Sequence, residues 1–65
     1  MTKYPDVTVK LVGTDGNAFS LMGKVRKALK QAGASAEDVT QFSNEAMAGT
    51  YDDLLITIMG WVNVE

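Results

Sequence analysis

Cysteine and histidine are both absent from this 65-residue chain. Without cysteine no disulfide can form, and without either residue a zinc site of thiolate or imidazole ligands is excluded. The same absences remove the commonest general base and the thiol nucleophile. Ser20, Ser35 and Ser43 have no glycine-flanked elbow and no basic partner at a telling spacing. The expectation is a protein that is not an enzyme, with no catalytic residue, no metal and no cofactor. Lack of cysteine also fits a reducing compartment, so a cytoplasmic location is expected.

Long apolar runs are missing too. None approaches the roughly 20 residues of a membrane span, and the opening MTKYPDV is polar where a signal peptide would carry an apolar core. No membrane partner is expected. Basic residues are absent from the second half. Lys3, Lys10, Lys24, Arg26, Lys27 and Lys30 all lie in the first thirty residues, opposed there by Asp6 and Asp15 for a net +4. Residues 31–65 hold six acids and no base, a net −6. This segregation reads either as solvated helix faces with weak ion pairs between the halves, or as a basic surface for an anionic ligand or head-to-tail complementarity between subunits. A nucleic-acid partner fits poorly, because the pI is near 4.8 and no aromatic residues interleave with the bases.

What is present reads as one α+β domain over residues 1–65. Val7, Val9 and Leu11 alternate with Thr8, Lys10 and Val12, which suits a strand with one buried face. Pro5, the single proline, cannot donate to a ladder and marks the strand's beginning. Gly13, Thr14, Asp15, Gly16 and Asn17 are turn residues, and Asn17 can cap a helix. Ala18, Leu21, Met22, Val25, Leu29 and Ala32 follow at helical spacing, with Lys24, Lys27 and Gln31 opposite, and Gly33 can end the helix. Ser35 with Asp38 reads as a capping box for a second helix striped by Val39, Phe42 and Ala46, which Gly49 stops. Thr50 with Asp53 repeats that logic for a third. Its apolar face is Tyr51, Leu54, Leu55, Ile58, Met59 and Val62. The helix is expected to run to about Val62, although Val62 and Val64 also alternate like a short C-terminal strand.

A chain this short buries only about 60% of its unfolded surface, and disulfide and zinc supports are excluded, so a homo-oligomer is expected. A lone strand also needs its edges satisfied, either by the C-terminal residues or by a second subunit. Ile56 lies off the third helix's main stripe and Trp61 at its margin. With Tyr51 they are the candidate interface residues.

Two weak chemical signals can be set aside. Asp52 and Asp53 adjoin at a helix start and point about 100° apart, so they complement the helix dipole and do not share a proton. Asp15, Gly16 and Asn17 lack the further acids and terminal Glu of a calcium loop. The turn itself makes the better candidate. Lys10, Gly13, Asp15, Gly16, Asn17, Lys24 and Lys27 form a candidate ligand site for phosphate or carboxylate at a helix start. It is neither a P-loop nor G-x-G-x-x-G.

The segments LVGTDGNAFSLMGKVRKALKQAG and YDDLL resemble a small family of proteins encoded in phages, prophages and bacterial genomes, over about residues 9–64. That family has no assigned activity, so the resemblance implies no functional residue. It implies a setting in which short accessory proteins act by binding. The expected function is a phage-type accessory module that stoichiometrically binds an anionic small ligand such as a nucleotide, with Tyr51 or Trp61 available for stacking. The alternative is a protein-interaction factor whose third helix docks on a host protein.

Overall fold

Three polar side chains decide where the helices begin. The computed structural model describes residues 2–11, 13 and 16–65. Its elements are β1 (Tyr4–Val9), α1 (Ala18–Gln31), α2 (Ala36–Ala46), α3 (Tyr51–Trp61) and β2 (Val62–Val64), an α+β arrangement. Asn17 Oδ1 accepts from the Phe19 amide at 2.8 Å and Ser35 Oγ from the Asp38 amide at 3.1 Å. At α3 the capping is reciprocal. Thr50 Oγ1 accepts from the Asp53 amide at 3.3 Å, and Asp53 Oδ2 accepts from the Thr50 amide at 3.0 Å. Each cap satisfies donors that the first turn leaves without partners.

At the other end of α1, Gly33 takes φ +88°. Its amide donates to the Lys30 carbonyl at 3.1 Å and the Ala34 amide reaches the Leu29 carbonyl at 3.0 Å, a Schellman closure. The box expected at α2 is only half made. Asp38 receives the Tyr4 hydroxyl and lies 3.7 Å from the Lys3 ammonium, so its carboxylate is committed to the N-terminal segment.

Gly49 serves the α3 cap sterically. A Cβ there would sit 2.2 Å from Asp53 Oδ2 and 2.9 Å from Asp53 Cβ, so the carboxylate could not stay on the Thr50 amide. Gly49→Ala is expected to remove about 1–2 kcal/mol, the range of a lost N-cap. Urea denaturation of the two proteins checks this.

The two strands pair in parallel, with all three helices in the crossover between them. β1 begins three residues earlier than the alternation indicates and ends at Val9, and Val12 lies outside the described residues. Pro5 sits inside the strand because the pairing bulges around it. Tyr4 pairs with Val62 and Thr8 with Asn63, so Pro5, Asp6 and Val7 are extra on that side. Proline is tolerated at such a bulge. Its carbonyl accepts from the Asn63 side-chain amide. α3 stops at Trp61, and Val62 turns into extended backbone at φ −139°, ψ 163°. The expected helical Val62 is therefore a strand residue, fully buried in its new conformation. The C-terminal residues also satisfy one edge of β1: the Glu65 amide donates to the Val9 carbonyl at 2.9 Å. That edge needs no second subunit.

Val7 and Val9 turn inward from β1 to meet Val25 and Leu29 of α1, Phe42 of α2, Ile58 of α3, and Val62. All buried residues among those described are apolar. Thr8 and Lys10 turn outward.

Candidate functional site

Lys24 and Lys27 stand three residues apart on α1, so their stems are neighbours on one helix flank. Packing of α1 beside β1 adds Lys10 to them. The three lysines line a groove of about 320 Å³ together with Thr8, Val9, Ala28 and Gln31. Val9 and Ala28 provide an apolar floor, while Thr8 and Gln31 can donate a hydroxyl and an amide hydrogen. Gathering ammonium groups in a concave surface focuses positive potential there. An anion is the complementary occupant.

The turn expected to share this site is elsewhere. Gly13, Gly16 and Asn17 do not line the groove. At 1.5 Å per residue, Asn17 lies about 10 and 15 Å along the helix axis from Lys24 and Lys27. Asn17 spends its side-chain oxygen on the Phe19 amide. The Gly16 carbonyl accepts from the Tyr51 hydroxyl at 2.6 Å, which ties the turn to the start of α3. Asp15 lies outside the described residues. The candidate ligand set thus divides: Lys10, Lys24 and Lys27 line the groove together, whereas Gly13, Gly16 and Asn17 do not. Thr8 and Gln31 join the groove without having been singled out. Their outward phase in the alternating strand and on the polar side of the helix was the available signal.

The aromatic residues are also redistributed. Trp61 is buried inside its own chain, so it is neither a free interface residue nor a stacking platform. Its ring stacks on Tyr4 at 6.1 Å and meets the edge of Phe42 at 5.8 Å, with the Lys3 ammonium 4.3 Å from its centroid. Its Nε1 donates to Glu45 Oε1 at 3.0 Å. Tyr51 is partly exposed and lines a second, apolar groove, away from the lysines. Ile56 remains exposed.

This aromatic cluster has a pH signature. The hydrogen bond from Trp61, then that from Gln41, holds the Glu45 carboxyl below its ordinary range. Its contribution to stability is present above the unfolded glutamate value of about 4.3 and is lost as pH falls through the lower folded value. The hydrogen bond to Asp38 raises the Tyr4 hydroxyl, so that contribution is present below the unfolded tyrosine value of about 10 and lost as pH rises past it. Glu45→Gln should therefore flatten the acid limb of the stability profile and leave the alkaline limb intact. Urea midpoints across pH provide the check.

Among the described residues, no cluster of three or more acidic, histidine or cysteine side chains is placed to hold a metal, and no helix is long and apolar enough to cross a membrane. No family model, curated protein or solved structure matches the chain.

Proposed function

We propose that this protein is a non-enzymatic binding module that holds a small phosphorylated or otherwise anionic ligand, such as a nucleotide, in the groove between β1 and α1. The supporting observation is the convergence of Lys10, which follows β1, with Lys24 and Lys27 of α1, 14 and 17 residues further along the chain, on one groove of about 320 Å³. Lysine ammonium groups recognise phosphate as point charges, with Thr8 and Gln31 as directional partners. No aromatic ring lines this groove. Recognition therefore rests on the anionic group, and a nucleotide would be held by its phosphates. In the phage or bacterial setting suggested by the sequence resemblance, such a module would act by stoichiometric sequestration.

A docking role for α3 is the second reading. It is favoured by the exposed stripe Asp52, Ile56 and Met59, which recurs at helical spacing on the outer side of α3.

Thermal melts with ATP, GTP, pyrophosphate and tripolyphosphate separate the two. A ligand at a hundredfold excess over its dissociation constant stabilises the native state by about 2.7 kcal/mol. Changing both Lys24 and Lys27 to Gln should leave the melting temperature of the free protein within about 0.5 kcal/mol-equivalent of wild type, as for exposed positions. It should also remove most of the ligand-induced shift and flatten its salt dependence. No shift with any of the four, or an equal shift in the double variant, would contradict the anion-binding reading.

A further inference from the structure

The sheet has two strands, so among the described residues β1 has a strand neighbour on one side only. The Glu65 amide donates to the Val9 carbonyl at 2.9 Å, and the Leu11 amide donates to the Glu65 carbonyl at 3.3 Å. Val9 and Leu11 thus aim their main-chain groups at the C-terminal residues. Along a strand these groups alternate between its two edges. Thr8 lies opposite Asn63 in the register, yet it aims its own amide and carbonyl at the outer edge. Such an edge is a template on which another extended chain can pair.

This outer edge borders the lysine groove. Thr8 and Val9 form one wall. The other is Lys24, Lys27, Ala28 and Gln31, spaced i, i+3, i+4 and i+7, so a single flank of α1 lines it. Val7 and Val9 meet Val25 and Leu29, which puts α1 on the inner face of β1. A strand added at the usual distance of about 4.8 Å would lie over that flank, with alternate side chains turned down onto it. Ala28 is small and leaves room for them. With Lys10 the lining holds three lysines and no acid, so carboxylates are the complementary side chains.

We infer that the groove takes an extended acidic segment of another protein, paired as a third strand on β1 at Thr8, with its downward carboxylates on Lys24 and Lys27. Main-chain hydrogen bonds give such strand addition its affinity, and alternate side chains give it specificity. This third strand rests on the reading of the groove as an anion site and adds main-chain recognition to it. A second copy of the chain is the poorer occupant. Its β1 would bring a second set of lysines, and its Glu37, Asp38, Glu45, Asp52 and Asp53 lie on helices.

Fluorescence anisotropy with a labelled Glu-Thr repeat peptide of about eight residues, within the usual range of strand length, tests the inference. The peptide should bind, more weakly as salt is added, and pyrophosphate should displace it. Changing both Lys24 and Lys27 to Gln should weaken it. A fully N-methylated copy keeps every carboxylate but has no amide hydrogen for Thr8, so it should bind about tenfold more weakly or worse. The Thr8 amide should exchange more slowly in the complex. Equal affinity for the two peptides, or unchanged binding by the double variant, would overturn the inference. So would a free chain that is dimeric and that the peptide converts to monomer, which would assign the edge to a second copy. Pyrophosphate binding without peptide binding would overturn it and leave the anion site standing, whereas loss of both would remove the anion site as well.

Discussion

Leu29→Ala is expected to remove about 2–5 kcal/mol of stability, the range for a buried leucine truncated in a packed core. Leu29 is fully buried on the inward face of α1, and its carbonyl also closes the Schellman turn with Ala34. A domain of this size holds only about 3–10 kcal/mol in total, at 0.05–0.15 kcal/mol per residue. The loss is a large fraction of that total, so the urea midpoint of the variant should fall steeply. The core has one layer of residues between the sheet and the helices, with little beyond it to collapse into the space. A loss under about 1 kcal/mol in urea melts, outside the range for such a truncation, would show that Leu29 does not pack as described.

Trp61→Ala should be comparably severe, at about 3–5 kcal/mol. Trp61 ends α3, starts the turn into β2, and joins the N-terminal segment to α2 through Tyr4, Lys3 and Glu45. Truncation removes the ring that Tyr4 and Phe42 both contact, and leaves Glu45 without its indole donor. Trp61→Phe keeps part of the packing and loses the hydrogen bond, so it should fall between wild type and alanine. If the alanine variant melted like wild type, the C-terminal strand would have to be held by something other than this cluster.

Most local structure was legible because it is decided locally. Asn17, Ser35 and Thr50 each cap from their own position, and Gly33 ends α1 by taking a conformation that glycine tolerates. The apolar stripes of the three helices identified the core residues Leu29, Phe42 and Ile58 for the same reason. The misjudged parts depend on partners far away in sequence. Pro5 reads as the strand's beginning until Val62 and Asn63 pair around it as a bulge inside β1. Asp38 suits a capping box until Tyr4 and Lys3, more than thirty residues earlier in the chain, take its carboxylate. Trp61 sits at the margin of its helical stripe, and only the return of the chain to β1 encloses it.

The candidate site divides on the same principle. Lys24 and Lys27 are neighbours by helical spacing alone, but Lys10 reaches them only through the packing of β1 beside α1. Asn17 is close to Lys24 and Lys27 in sequence yet lies along a rigid helix from them, so nearness in the chain is no guide to nearness in space.

Amide and side-chain NMR shifts during titration with pyrophosphate test the central claim most directly. Saturable changes centred on Thr8, Lys10, Lys24, Lys27, Ala28 and Gln31, larger at low ionic strength, are the predicted result. Changes centred on Gly13, Gly16 and Asn17, or no saturable change at the groove, would contradict it.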